Sequence, residues 1–362
     1  MSDFLDVVSR LEQGSKAYRQ SEADRPSFFR SIKSFGSRFK LATRLIREEP
    51  EIILFACIQW VIIGLAYFLW AELLQLVPDD VWEAARKDSE TGENATWLPS
   101  LVLFVISFTI VGLATFPIGI CSACIAACHI LRHHGETSTI PKCLKLVGPR
   151  AVSIWLFQWL DGWITVEQVL DRLPRKNDRR TIADRLASEA AYFAWKVSTA
   201  GMILGLVSGK RPMQAVKSSV SFFMHKPVEL IALRLGYSTL CWLLGLITYV
   251  GGIMVFAAYP ELMPEVEGTG PAVQAFYELG GIPLMIALAV VVIILQPIYA
   301  IAVSDLYADY LEAVGEQPIL KESPSSLFTA VASVSGLAAC LTIALVFRDQ
   351  LGITTILSSV GS

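Results

Sequence analysis

Long apolar segments are the feature that most constrains how this chain can fold. A helix needs about 20 consecutive apolar residues to cross the hydrocarbon core of a bilayer. Five segments meet that length with hardly any charge: 52–77, 98–127, 230–258, 282–303 and 327–347. Two more are long enough but contain charged side chains: 151–170 and 186–207. The sequence therefore predicts an all-α membrane protein with about seven transmembrane helices, drawn from these two sets.

The composition excludes an ordinary soluble domain. Of the 362 residues, 54% are hydrophobic and only 17% are charged, and the mean hydropathy is +0.52. Because soluble domains carry about 25% charged residues, this chain has too few of them to cover its surface in water. The formal net charge of −3 gives no reason to expect nucleic-acid binding. We expect no cleavable signal peptide, since the first 49 residues have no early apolar core.

The distribution of Lys and Arg indicates the orientation, because positively charged loops stay in the cytoplasm. Ten of the 30 basic residues precede the first span, and 132–150 and 210–226 contain four each. On the other side, 78–97 contains only two and 260–280 contains none. The sequence therefore predicts a cytoplasmic N-terminus.

The charged linker 171–185 leaves the topology of its two flanking segments open. It contains six basic and three acidic residues, yet it would face the outside if 151–170 and 186–207 both cross. Alternatively, the two segments form a hairpin on the cytoplasmic side, which leaves five spans. Either alternative preserves the orientation of the other spans, because two crossings are added or removed together.

A repeated pattern indicates an internal duplication. The shared residues, 180 positions apart, are Pro117 and Pro297, Ile118 and Ile298, Leu131 and Leu311, Gly135 and Gly315, and Glu136 and Glu316. Each stretch belongs to an outside-to-inside helix that comes after an acidic external loop. Because both copies enter the membrane from the same side, they would be related by an axis along the membrane normal. Convergence of membrane-helix composition is the alternative.

The duplication divides the chain into five parts. These are a cytoplasmic region 1–49, a first repeat unit 50–136, an inserted hairpin 137–208, a second repeat unit 209–316, and an extra transmembrane helix with its tail 317–362.

An amphipathic segment introduces each repeat unit, at 26–48 and at 210–226. The first has an apolar stripe of Phe28, Ile32, Phe35, Phe39 and Ile46, opposite a face of Lys and Arg. The second has a shorter stripe of Met213, Val216, Val220 and Phe223. We expect both helices to lie in the membrane surface, with basic groups toward the anionic headgroups of the lipid bilayer.

Three short stretches carry a resemblance to a known family. They are Arg44–Leu54, Ala126–Glu136 with its Leu131-Arg132 and Gly135-Glu136, and Pro212–Ser219 with Ala215, Lys217 and Ser218. In order and spacing they resemble a family of uncharacterised prokaryotic multi-pass membrane proteins, known only as a domain of unknown function. The likeness covers residues 30–316. It implies a bacterial inner membrane and no catalytic residue, and the charged hairpin and the final span depart from it.

The two charged segments place Asp161 and Lys196 at a similar depth. If the hairpin turns near Asp178, Asp161 lies 17 residues before the turn and Lys196 lies 18 after it. A charge inside a span costs about 2.5–3.5 kcal/mol on insertion scales, so it needs a partner. We expect the two side chains to form an intramembrane ion pair, which is either structural or part of a proton or ion pathway.

Cysteine, histidine and glycine form patterns with more than one interpretation. One helical stripe and its surroundings contain Cys121, Cys124, Cys128, His129 and His133. These residue types bind zinc, copper or haem iron, but no loop folds back to close a site, so we expect no metal and no cofactor. Gly201 and Gly205 form a small-residue face suited to helix packing, either within the chain or in a dimer.

Polar residues near the ends of two spans indicate a possible cleft between the repeat units. They are Arg234, Gln296, Pro297, Asp305 and Asp309. Pro117 and Pro297 are expected to kink their helices, and the alternative is a set of solvated helix ends. Under the duplication, His129 matches Asp309 and Arg132 matches Glu312, and such opposite charges would suit a contact between the units.

The sequence carries no enzyme signature. It has no Gly-x-Ser-x-Gly elbow, no His-Glu-x-x-His pair and no Walker loop. We therefore expect a non-enzymatic membrane scaffold or accessory subunit. The alternative is a permease for a small or lipid-like substrate, which the duplication and the proline kinks favour. An enclosed polar cleft between the units would favour the permease, and a closed, dry interface would favour the scaffold.

Overall fold

The computed structural model of the protein describes residues 28–75, 97–172, 182–259 and 281–316, together with isolated helical positions between 328 and 339. The helices in these ranges are α1 (Phe28–Glu48), α2 (Glu51–Gln75), α3 (Trp97–His133), α4 (Ile140–Val147), α5 (Ala151–Arg172), α6 (Ile182–Ser198), α7 (Met202–Val207), α8 (Pro212–His225), α9 (Pro227–Ala258), α10 (Ile282–Val290) and α11 (Gln296–Val314). A 3₁₀ turn, Gly148–Arg150, precedes α5, and a π-helical turn, Val291–Leu295, joins α10 to α11. Since no strand occurs in these ranges, the predicted all-α class is confirmed for them.

Four stretches of described helix are long and apolar enough to cross a membrane: Phe104–His133, Ala183–Val207, Pro227–Ala258 and Ile282–Val314. A fifth is added if α1 and the start of α2, which meet at an angle of 93°, form one broken span. The predicted total of seven is not reached within the described residues. The helix α5 is not among these stretches, since Asp161, Glu167 and several other polar residues interrupt it. The predicted span 327–347 is described only at isolated helical positions between 328 and 339.

A proline stands at the junction between each amphipathic helix and the long apolar helix after it. Pro50 precedes α2, and Pro227 is the first residue of α9. Proline is tolerated in a first turn because the backbone N–H there has no helical partner. At the first junction the N–H of Ile52 still donates to the carbonyl of Glu49, at 3.2 Å. The chain therefore bends there while part of its backbone remains hydrogen-bonded.

The deepest core lies where α3, α7 and α11 converge. Ala123 and Ile125 of α3, Leu206 of α7 and Ile301 of α11 have no exposed surface and belong to one buried cluster. By contrast, α2, α9 and α10 expose large apolar side chains, among them Leu65, Trp242, Met254 and Leu284. Such a distribution is typical of a membrane protein, because apolar side chains are stable when they face lipid.

Two tryptophans position α5 along α3. The indole Nε1 of Trp155 donates to the carbonyl of Gly112 at 2.8 Å, and that of Trp159 donates to the carbonyl of Phe108 at 2.9 Å. The later tryptophan on α5 pairs with the earlier residue on α3, so the two helices run antiparallel. The helix α5 therefore lies beside the part of α3 that is farthest from His133.

The two prolines that were expected to kink their helices occupy different positions in them. Pro117 lies inside α3, which continues as one helix, and Pro297 begins α11 directly after the π-helical turn. A proline removes one backbone donor, and a π-helical turn shifts the hydrogen-bond register at such a point. Pro297 is buried, and its neighbours Leu295 and Ile298 are each 5% exposed.

The contact between α3 and α5 leads to a test by glycine substitution. A Cβ atom added to Gly112 would lie 2.5 Å from Cε2 of Trp159, whereas nothing lies within 4 Å of the same position at Gly64. We expect Gly112→Ala to lower the free energy of unfolding by about 1–3 kcal/mol, because the packed indole must move. The control Gly64→Ala should raise it by about 0.5–1 kcal/mol through helix propensity. Thermal unfolding in detergent measures both, and equal midpoints for the two variants would contradict the described packing.

Candidate functional site

A cluster of charged side chains lies where α1 packs against α11. We call it the Arg38 cluster, and its members are Arg38, His129, His133, Asp305, Asp309 and Glu312. The helix α1 supplies the arginine, α3 supplies the two histidines and α11 supplies the three carboxylates. The cluster therefore joins three helices that are far apart in the chain.

Arg38 bridges two carboxylates of α11. Its Nη1 donates to Oδ2 of Asp305, and its Nη2 donates to Oδ2 of Asp309 at 2.5 Å. The two aspartates are four residues apart and so lie on one helix face, where the rigid fork of a guanidinium can reach both. The side chain of Arg38 is only 14% exposed, so solvent screens these interactions weakly. This contact holds α1 against α11.

The apolar stripe of α1 packs inside the protein, which differs from the lipid-facing placement expected from the sequence. Phe35 contacts α9 at Gly236, where an added Cβ would lie 2.9 Å from the phenyl Cζ. Phe39 and Ile46 pack against the buried core, and Ala42 has no exposed surface. The reason is that α9 and α11 present both an apolar surface and two aspartates to this helix. The side chains of Phe28 and Ile32 lie outside the described residues.

Two histidines of α3 approach the same acidic face. Nε2 of His129 lies 3.7 Å from Oδ1 of Asp305, and Nε2 of His133 lies 3.1 Å from Oε1 of Glu312. The two rings, one helical turn apart, stack with their centroids at 6.2 Å. His129 is 5% exposed, and its Nδ1 has no hydrogen-bond partner among the described residues. Both contacts join α3 to α11.

Arg132 contacts the end of α1 rather than its counterpart Glu312. Its Nη2 lies 3.2 Å from Oε2 of Glu48, and its Nη1 lies 3.5 Å from Oε1 of Glu49. Arg132 is therefore paired with carboxylates at the junction between α1 and α2. The contact between α3 and α11 that the matched charges indicated is made by the histidines instead.

The structure brings Asp161 and Lys196 together across the hairpin of α5 and α6. Nζ of Lys196 lies 2.7 Å from one carboxylate oxygen, and the indole Nε1 of Trp195 donates to the other at 3.0 Å. The side chains of Lys196 and Asp161 are 15% and 19% exposed. The ammonium also lies over the ring of Tyr192, with 5.5 Å to the centroid. Both oxygens of the carboxylate thus have a donor, which lowers the cost of burying the charge.

Arg234 contacts two aromatic rings and, among the described residues, forms no ion pair with a carboxylate. Its guanidinium carbon lies 5.7 Å from the centroids of both Tyr237 and Tyr299. The two tyrosine rings stack with their centroids 4.4 Å apart, which links α9 to α11. Arg234 therefore belongs to a different set of contacts from Asp305 and Asp309, which hold α1. The structure does not bring these three predicted cleft residues into one contact group, and Gln296 and Pro297 lie at the π-helical turn.

The cysteine stripe of α3 is buried against α4. Sγ of Cys128 lies 3.2 Å from Sγ of Cys143, and Cys121 and Cys124 are buried on the same stripe. His129 and His133 are engaged by carboxylates of α11, as described above. Among the described residues, no group of three or more His, Cys, Asp and Glu side chains has the arrangement of a metal site.

The small residues Gly201 and Gly205 pack within the chain. The backbone N–H of Gly201, in the turn after α6, donates to Oγ of Ser219 at 3.1 Å. A Cβ on Gly205 would lie 3.1 Å from the Cα of Ala215. The two glycines therefore allow α8 to approach closely, which is the internal alternative of the two that the sequence left open.

A polar network around Lys210 was missed from the sequence. Its Nζ donates to Oγ of Ser218 at 2.7 Å and to Oε2 of Glu316 at 2.5 Å, and the hydroxyl groups of Ser218 and Tyr307 lie 2.8 Å apart. Burial is the largest single influence and lowers the pKa of Lys210, but the hydrogen bond to Glu316 and the electrostatic effects of Tyr307, Glu316 and Tyr310 together exceed it, so the pKa of Lys210 is raised. The partners are up to 106 residues apart, and no local pattern marks such a pairing.

No protein-family model, no curated protein and no solved structure matches this chain. Its function is therefore argued from geometry. The charged groups described above are mostly paired with groups of the opposite charge, and their contacts join helices to one another. Such an arrangement stabilises the relative positions of the helices.

A double-mutant cycle tests the Asp161–Lys196 pair. We expect Asp161→Ala to lower the free energy of unfolding by about 3 kcal/mol, because it leaves a largely buried ammonium without its counter-ion. Adding Lys196→Ala removes that charge, so the double variant should be more stable than Asp161→Ala alone. Arg44 and Glu48 form the matched control, since this exposed pair four residues apart should couple by only about 0.3–0.5 kcal/mol. If the double variant is no more stable than Asp161→Ala, the pair does not contribute as described.

Proposed function

We propose that the protein is a non-enzymatic scaffold or accessory subunit of a bacterial inner membrane. The observation that carries this proposal is the apolar core between α2, α3 and α11. Ile52 and Phe55 of α2, Ile125 of α3, and Ile298 and Ile301 of α11 are each at most 5% exposed and form one cluster. Interdigitated apolar packing of this kind resists sliding, so it suits a protein that holds other components in place.

The Arg38 cluster supports the same proposal. Arg38 ties α1 to α11 through two carboxylates, and His129 and His133 tie α3 to α11. A transporter that exposes its site alternately to both sides must separate such contacts during each cycle. Separating these ion pairs would be costly, because each separation would leave a poorly solvated charge without its partner.

The proposed duplication is supported by two equivalent helix ends. Gly135 ends α3 with φ +75°, and Gly315 ends α11 with φ +73°. In each case the N–H of the next residue, a glutamate, donates to the carbonyl five residues earlier, at 2.9 Å. This left-handed C-cap requires glycine, which explains why it stands at both positions. We therefore propose that 50–136 and 209–316 are two copies of one unit, related by an axis along the membrane normal.

A seven-span topology with a cytoplasmic N-terminus is part of the proposal. The position of α5 supports this topology. The helix lies antiparallel to the part of α3 that contains Phe108 and Gly112, away from the end of α3 at His133. A helix in that place, together with α6, would cross the bilayer with its Asp161–Lys196 pair inside. The excess of Lys and Arg before the first span supports the orientation.

A permease remains the second candidate, because two features typical of transport sites are present. The Asp161–Lys196 pair joins α5 to α6, and Lys196 lies in a stretch that is long and apolar enough to cross a membrane, where ionisable residues often mark ion or proton pathways. The π-helical turn Val291–Leu295 interrupts a membrane helix, as π-helical turns frequently do at functional positions.

Thiol accessibility discriminates between the two candidates. We expect Ile301→Cys to react with a membrane-impermeant maleimide roughly tenfold more slowly than Lys40→Cys, since Ile301 is fully buried and Lys40 is exposed. Ile298→Cys provides a second reporter at the same interface. The readout is peptide mapping by mass spectrometry, in membranes open on both sides. Rapid labelling of either interface position would show that the core opens, and would favour the permease over the scaffold.

A further inference from the structure

The helix α8 has three faces rather than two. Successive residues of an α-helix are rotated by about 100°, so its side chains can be sorted by direction. One face, formed by Ala215, Ser218, Ser219 and Phe222, is buried against the rest of the protein. This inner face is made largely of small and polar residues, which leaves the larger apolar side chains of α8 on another side.

The second face of α8 is apolar and exposed. It consists of Met213, Val216, Val220 and Met224, whose exposed fractions are 69%, 44%, 37% and 51%. These four residues occupy about 80° of the helix circumference. The third face carries Gln214, Lys217 and His225, all of them exposed. A helix with separate protein-facing, apolar and polar faces suits a position where protein, lipid and water meet.

The helix α1 lacks the apolar outer face. Its inner face packs on the protein through Phe35, Phe39 and Ala42, as described above. Between residues 35 and 48, its exposed surface carries Leu41 as its one large apolar side chain. The remainder is polar and includes Lys40, Arg44 and Arg47. The two amphipathic segments, similar in sequence pattern, therefore present different surfaces.

We propose that the outer face of α8 docks on the adjacent bilayer leaflet and takes anionic lipid as its partner, whereas α1 does not contact lipid. The chain runs from α8 directly into α9, which also exposes large apolar side chains, among them Leu235, Trp242 and Leu243. This inference does not depend on the scaffold function, because a permease would equally need its helices anchored.

Charge identifies the lipid as anionic. Lys217 borders the apolar face, and among the described residues it has no carboxylate within ion-pair distance. Pro212–His225 contains no Asp or Glu. Of the basic residues that flank it, Lys210 and Lys226 are paired with Glu316 and Glu229, whereas the exposed Arg211 has no ion pair among the described residues. Basic side chains at this position are attracted to the negative surface potential of an anionic leaflet. Lysine can also extend its ammonium to headgroup phosphates while its methylenes remain on the apolar face.

Spin labelling of the whole protein in vesicles tests the apolar contact. Nitroxides are placed by Val216→Cys and Val220→Cys, with Lys40→Cys on α1 as the matched control, in vesicles of three parts phosphatidylcholine and one part phosphatidylglycerol. Cys57, Cys241 and Cys340 are replaced by serine, while the buried Cys121, Cys124, Cys128 and Cys143 can remain. We expect the α8 labels to be accessible to oxygen and shielded from a water-soluble nickel chelate, and the α1 label to behave in the opposite way.

Two results would overturn the inference. Nickel accessibility at Val216→Cys and Val220→Cys equal to that at Lys40→Cys would show that α8 faces water. Dipolar broadening that disappears on dilution with unlabelled protein would show that a second copy, rather than lipid, covers this face.

An unlabelled variant tests the charge separately. Hydrogen exchange of the α8 peptide should slow several-fold when phosphatidylglycerol replaces one quarter of the phosphatidylcholine. Lys217→Gln should remove most of that slowing, and Lys40→Gln should leave it unchanged. Equal exchange in the two lipid mixtures for the unmodified protein would exclude a role for anionic headgroups.

Discussion

A bilayer core offers charged side chains no water, and this constraint determines how the protein places its charges. Each charged group in a long helix needs either a partner within the protein or a position at a membrane surface. Asp161 meets Lys196 across the hairpin, and Arg38 meets two aspartates of α11. Because these partners lie on different helices, the same contacts that satisfy the charges also define how the helices pack. These ion pairs between helices therefore also fix the packing of the helices against one another.

The two amphipathic helices show how similar sequence patterns can have different roles. Both precede a long apolar helix and are joined to it at a proline. The helix α1 buries its apolar stripe on α9 and α11 and extends Arg38 to Asp305, whereas α8 buries small residues and exposes its larger apolar ones. In the proposed duplication, one copy of this element packs on the protein, and we propose that the other contacts lipid. The close approach of α8 depends on Gly205, whose missing side chain leaves room for Ala215.

Features that depend on helix length and local spacing could be predicted from the sequence. Apolar runs identified the long helices, and equal distances from the expected turn predicted that Asp161 and Lys196 would meet. The partner of Arg38 was not predictable in this way, because Asp305 lies 267 residues away. The surface that α1 packs on was not predictable either, since an apolar stripe opposite basic residues has the same pattern whether it faces lipid or protein. Only the positions of α9 and α11 distinguish the two.

The central claim is a helical bundle that crosses the membrane and holds its charged cluster at the cytoplasmic ends of α3 and α11. Paired reporter fusions that are active only in the cytoplasm or only outside it test this most directly, at residues 40, 85, 138 and 270. The account predicts a cytoplasmic signal at residues 40 and 138 and an external signal at residues 85 and 270. An external signal at residue 138, or the same compartment for residues 40 and 85, would contradict it.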